Sequence, residues 1–117
     1  MKALLLWVIL GWAGIAPAPK RVETTFRVEG LCGMCEERIE SALDRKGVVL
    51  AEWDAHSRML RVVYKPAVIT EAQIHATVAE AGHDTEQVKA SDAAYAGLHG
   101  CCKYRDNAGC TGGDHTH

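Results

Sequence analysis

From Thr24 to Ala90 the apolar residues keep two periods in a fixed order, and that order leaves few folds open. "TTFRVEG" alternates Phe26 and Val28 with Thr25 and Arg27, the pattern of a half-buried strand. Gly30 to Cys35 read as a loop. Cys35, Ile39, Ala42, Leu43 and Lys46 then share one face of a helix, with Arg45 and Lys46 in its last turn and Gly47 as its stop. "VVLAEWD" and "RMLRVVYK" are two further strands. The short polar "AHSR", Ala55 to Arg58, joins them, so an antiparallel hairpin is expected, with Ala51, Trp53, Leu60 and Val62 turned to the helices and Pro66 closing the second strand. Thr70 and Gln73 form a capping box that opens a helix carrying Ile74, Val78 and Ala81 on one face, and Gly82 suits its C-cap. "HDTEQVKA" is expected as a last short strand.

Strand, helix, strand, strand, helix, strand is the split β-α-β arrangement. The expected fold is therefore α+β, a ferredoxin-like βαββαβ sandwich. It has a four-stranded antiparallel sheet with both helices on one face. After Ala90 the character changes. "SDAAYAGLHGCCKYRDNAGCTGGDHTH" is rich in Gly, Cys and His and lacks a long apolar period, so residues 91–117 read as an appended Cys/His-rich tail.

The first 18 residues stand apart. Lys2 is their one charge, an apolar run extends from Ala3 to Ile15, and Ala16 and Ala18 follow. That is the layout of a secretory signal peptide, and the run is short for a membrane span of about 20 residues. Pro19 is a poor first residue after cleavage at Ala18, so an uncleaved anchor is the alternative. Residues 19–90 are then expected as the folded domain of a periplasmic or otherwise exported protein. The formal charge of −2 excludes a basic nucleic-acid surface, and no nucleic-acid partner is expected.

Export changes the meaning of the cysteines. There are five, Cys32, Cys35, Cys101, Cys102 and Cys110. An odd count in an oxidising compartment leaves at least one thiol unpaired within a monomer, which favours metal or redox chemistry over a disulfide scaffold. Cys35 sits at the start of the first helix and Cys32 in the loop before it. Helix-end N–H groups and the dipole favour thiolates there, and thiolates are the ligand form for soft ions such as Cu(I). Glu36 and Glu37 suit the helix dipole but repel a thiolate pair, so they pull thiol acidity in opposite directions. A structural zinc site would want two further ligands, and the core offers no second C-x-x-C. A thiol–disulfide active site and a merely structural disulfide remain the alternatives.

The chain resembles the heavy-metal-associated domain family, which includes copper chaperones, metal-binding domains of P-type ATPases and the periplasmic mercuric-ion-binding protein. The resemblance covers Thr24 to Ala90. It is carried by Val28, Gly30, Cys32, Cys35, Ile39, Glu40, Leu43, Gly47, Val48, Trp53, Asp54, Leu60, Val62, Tyr64, Pro66 and "AGHDT". Where the family has Gly-Met-x-Cys, this chain has Gly-Leu-Cys, one residue shorter, with Leu31 as the hydrophobic plug and Met34 between the cysteines. The resemblance implies a non-enzymatic carrier. Its cargo is a soft ion at Cys32 and Cys35, Cu(I) first, with Hg(II) or Zn(II) as alternatives. It also implies a metal-transporting membrane partner, either a P-type ATPase or an efflux or uptake system. The carrier is expected to be a monomer, with a metal-bridged dimer as the alternative. The rival from another class is an exported thiol–disulfide redox protein.

His83 follows Gly82 in the loop that, in this fold, lies beside the cysteine loop. It is read as a packing histidine or as a third ligand or hydrogen-bond partner. His56 and His75 read as surface residues. In the tail, Cys101 and Cys102 are candidate extra ligands. Adjacent cysteines rarely bond to each other, so a disulfide is expected to reach Cys110 or the Cys32 and Cys35 loop. His99, His115 and His117 could join a separate Cys/His site instead. Tyr95 and Leu98, just before "GCC", give the segment apolar anchors and favour folding back onto the domain.

Overall fold

The computed structural model describes residues 19–106. The proposed export signal, Cys110, His115 and His117 lie outside the described residues. Strands β1 (Val22–Arg27), β2 (Val48–Trp53) and β3 (Met59–Tyr64) form one antiparallel sheet in the order β1-β3-β2. Helix α1 (Gly33–Ala42) follows β1, α2 (Glu71–Glu80) follows β3, and a short α3 (Asp92–Ala96) leads into a 3-10 turn, Gly100–Cys102. No helix among the described residues is long and apolar enough to cross a membrane.

The hairpin forms as its alternation requires. Trp53 pairs with Leu60 and Ala51 with Val62. Phe26, Leu60, Val62, Tyr64 and Trp53 bury against Ile39 and Leu43 of α1 and Ile74 and Val78 of α2 in one cluster. The other face is polar, with Arg61 paired to Glu23 and Glu52. Thr70 caps α2 with both halves of the capping box present. Gly82 lies past the end of that helix at φ +106°, and a Cβ on it would stand 2.8 Å from Leu98 Cδ2 and 2.9 Å from the Ala94 carbonyl. Glycine is thus required there both by the left-handed backbone and by close packing.

Two expectations need correction. The fourth strand at "HDTEQVKA" does not form among the described residues; one isolated bridge, Val28 to Thr85, stands in its place. Side chains have taken the hydrogen bonds that a ladder would use. The Arg27 N–H donates to the Glu86 carboxylate at 2.7 Å. Thr85 closes a tight turn, with its N–H on the Val88 carbonyl and its hydroxyl accepting from Gln87 and Val88. Helix α1 also ends at Ala42, before Arg45 and Lys46. Arg45 reaches across to α2 and donates to the Thr77 hydroxyl at 2.7 Å.

The segment after Ala90 joins the core. Ser91 caps α3 by accepting from the Ala94 N–H. Tyr95, Leu98 and Cys102 are buried in the same cluster as the sheet residues. Tyr104 clamps the segment to the loop after α2. Its hydroxyl donates to the Gly82 carbonyl at 2.8 Å and accepts from the Asp84 N–H at 2.9 Å. Arg105 pairs with Asp84 at 2.7 Å and donates to the Ala90 carbonyl at 2.8 Å.

Candidate metal centre

The loop after β1 is held from three sides. The Val28 N–H donates to the Arg58 carbonyl and the Glu29 N–H to the Asp84 carbonyl, each at 2.9 Å. Trp53 Nε1 donates to the Val28 carbonyl at 3.0 Å. The indole lies so close to Gly30 that a Cβ there would meet it at 2.9 Å and Cys35 Cβ at 3.2 Å. The site is therefore built directly against the Trp53 ring.

Cys32 occupies the N-cap of α1 with an extended backbone, and its carbonyl accepts from the Cys35 and Glu36 N–H groups. Leu31, half-buried against the core, donates its N–H to Cys35 Sγ at 3.4 Å. Cys35 is fully buried and Cys32 half-buried.

The third sulfur comes from far along the chain. The 3-10 turn carries Cys102, fully buried, to the two loop cysteines, and the three Sγ atoms all lie within 4.8 Å of one another. All three are free thiols. Burial, with Cys35 and Cys32 beside it, pushes the Cys102 thiol up to about 12, and the nearby Arg38 guanidinium opposes only part of that rise. Two buried thiols and one half-buried thiol can exchange their protons for a soft cation, whose positive charge compensates the thiolates that burial otherwise disfavours.

Cys101, one residue earlier, is disulfide-bonded, so in this form its sulfur is not a thiolate ligand. Its Sγ nevertheless lies 3.6 Å from Cys32 Sγ. His83 is fully buried but stands outside the three-sulfur group. Its Nδ1 donates to the Glu29 carbonyl at 2.7 Å, which leaves Nε2 as the unprotonated nitrogen of the neutral ring, without a hydrogen-bond partner. Burial lowers the His83 pKa, with the Glu29 hydrogen bond opposing, and the ring stacks on Tyr104. His83 thus links the loop beneath the cysteines to the segment that delivers Cys102.

His56 is exposed as expected, but His75 is not a surface residue. It is fully buried, stacked on Phe26 with centroids 3.8 Å apart, and its Nδ1 meets the Thr85 hydroxyl at 2.6 Å. The sequence reading also missed the Arg105 and Asp84 pair. Opposite charges 21 residues apart carry no period that could announce it.

The heavy-metal-associated domain model matches residues 25–84, just over half of the chain. The chain belongs to that family. Among solved structures, the CopZ metallochaperone is 27% identical with a TM-score of 0.53, covering 55% of this chain and 98% of that one. A putative copper-ion-binding protein from Bacillus anthracis str. Ames is 28% identical with a TM-score of 0.54, covering 56% and 96%. The water-soluble region of the P-type ATPase CopA from Bacillus subtilis is 30% identical with a TM-score of 0.53, covering 56% and 44%. No curated protein matches the chain. Cys102 lies beyond the family match, so the third sulfur is supplied from outside the shared domain.

Proposed function

We propose that this chain binds a soft metal ion at Cys32 and Cys35, with Cys102 as a third thiolate. It buffers that ion or passes it to a membrane metal transporter by thiolate exchange. The observation that carries this reading is the convergence of three free cysteine sulfurs within 4.8 Å. An ion about 2.3 Å from each of three coplanar sulfurs needs them about 4.0 Å apart. The group is therefore within a small contraction of a trigonal site. Tetrahedral Zn(II) would want a fourth ligand, so Cu(I) and Hg(II) come first. The copper-related relatives support the same class of cargo.

The role is carriage rather than catalysis. Likeness to a P-type ATPase region supports a transporter as the receiving partner. The layout of residues 1–18 supports export to the periplasm. One observation favours a second reading, a thiol–disulfide redox protein: the Cys101 disulfide lies against the free Cys32 thiol.

Titration of the reduced protein with Cu(I) and Hg(II) against a competing chelator tests the first reading. Replacing both Cys32 and Cys35 with serine should abolish tight binding, and undiminished affinity would overturn the assignment. Insulin reduction by the wild-type chain, absent in the same double variant, would instead support the redox reading.

A further inference from the structure

Among the described residues, Cys32, Cys35 and Cys102 form a group of three sulfurs and no more. His83 stands outside it, and the Cys101 sulfur is already bonded. The group is also short of positive charge. The buried polar side chains of the described residues are His75 and His83, so no lysine or arginine is buried beside the sulfurs. Arg38 is exposed and donates to the Ala81 carbonyl at 2.9 Å. Glu36 and Glu37 follow Cys35 and add negative charge next to it.

Charge then separates the cargoes that three thiolates can hold. Their sum exceeds the charge of Cu(I) by two and that of Hg(II) by one. Either excess falls on a group with two fully buried sulfurs and no buried cation to offset it, which is costly. A trivalent centre leaves no excess.

We propose that the group also takes trivalent arsenic, held as an uncharged tris-thiolate. The inference rests on the three-sulfur site of the carrier reading, not on transfer to a transporter. Arsenous acid is a neutral molecule at neutral pH. Three As–S bonds form and three As–O bonds break, and each displaced hydroxyl leaves as water with one thiol proton. Arsenic stays trivalent, so no oxidant or reductant is consumed. Its lone pair makes the centre pyramidal with three ligands. That matches three sulfurs within 4.8 Å of one another and calls for no fourth. Half-buried Cys32 offers the first thiol, and Cys35 and Cys102 complete the set within the apolar cluster, where a neutral product is the one that burial favours.

The test uses the full chain with its disulfide intact, under argon at about pH 7, below the ordinary thiol pKa. Sodium arsenite is added, and the adduct is weighed by native mass spectrometry. Bonding to all three sulfurs adds one arsenic, removes three hydrogens and leaves no hydroxyl. Bonding to two leaves one hydroxyl, and the adduct is heavier by one water. The first mass is expected for the wild type. Cys102→Ala should give the second, with half-saturation at about 100-fold more arsenite, a typical advantage of a further linked contact. A wild-type adduct that keeps its hydroxyl overturns the proposal, and so does a Cys102→Ala adduct that has lost all three. Mercuric chloride is run in parallel. A Hg(II) adduct without an arsenic one overturns this inference and leaves the carrier reading standing. An arsenic adduct without a Hg(II) one supports the inference and counts against the carrier reading.

Discussion

Leu98→Ala is the sharpest probe of how the third sulfur is held. Leu98 is 5% exposed, and its side chain fills the space where Gly82 has no Cβ. It packs between the end of α3 and the loop after α2. Truncating a buried leucine to alanine costs about 2–4 kcal/mol here, the lower part of the usual range, because the site lies near the surface and can partly collapse. If the segment opens locally, the same loss appears in the opening equilibrium of Cys102. At about 1.4 kcal/mol per tenfold, that predicts a rise of about 30- to 700-fold in the rate at which Cys102 is alkylated. Two assays read it. Urea unfolding gives the global cost, and timed alkylation with peptide mapping gives the local one. Cys35, held by α1 and the Trp53 ring, should change far less. The reasoning is refuted if unfolding shifts by less than about 0.5 kcal/mol and Cys102 stays as protected as in the wild type, a result typical of a surface position. Leu98 would then not pin the turn that places Cys102.

Three other outcomes follow from single contacts. His83→Phe removes the donor to the Glu29 carbonyl and should cost about 1–3 kcal/mol in urea, while soft-metal affinity changes about tenfold or less, since His83 stands outside the sulfur group; complete loss of binding would make His83 an essential ligand. Gly30→Ala drives a methyl into the Trp53 ring and should destabilise by about 1–3 kcal/mol, with a change in tryptophan emission as the local readout; an unchanged Tm would show that the ring does not sit on the loop. Both buried histidines have lowered pKa values, burial foremost, so below about pH 6.5 the unfolded chain takes up protons that the folded chain refuses. Stability should fall as pH drops from 7.5 to 5.5, and a His75→Phe, His83→Phe variant should flatten that slope; an equally steep slope in the variant would assign it elsewhere.

What the sequence disclosed was what is written in short-range pattern. The alternation of β1, the hairpin, the Thr70 capping box and the start of α1 at the cysteine loop were all legible, because each depends on neighbours within a few residues. The last strand failed for a competitive reason. "HDTEQVKA" can be extended, but Thr85 and Glu86 offer side-chain oxygens to backbone N–H groups and so replace the ladder locally. His75 was misplaced because Ile74, Val78 and Ala81 suggested a narrow apolar stripe. The face of α2 that is buried is wider and includes His75 and Ala79, with the imidazole stacked on Phe26. The structure brings Cys32 and Cys35 together where their spacing put them, at the start of α1. The approach of Cys101 and Cys102 to that loop was expected from the apolar anchors Tyr95 and Leu98; which of the two sulfurs faces inward was not legible, since only the turn decides it, and that turn is set by Tyr104 and Arg105 gripping a loop about 20 residues earlier.

On the proposed carrier reading, the segment that supplies Cys102 would alter what the shared fold can do with an ion. A cation held by three thiolates leaves by having them replaced in succession, so the order of access matters as much as the number of bonds. Cys35 and Cys102 are fully buried, and Cys32 is only half-buried at the helix start. On the same reading, an incoming thiolate from a partner would meet the ion on the Cys32 side. Cys32 is also the sulfur that touches Cys101. On the proposed carrier reading, the two buried sulfurs would set how tightly the ion is held, and the outer one whether it can enter or leave. Serine at Cys102 should therefore weaken retention while transfer to a competing dithiol stays fast. Serine at Cys32 should slow both uptake and transfer. Equal effects of the two substitutions on transfer rate would mean that the three sulfurs are equally accessible, contrary to their burial.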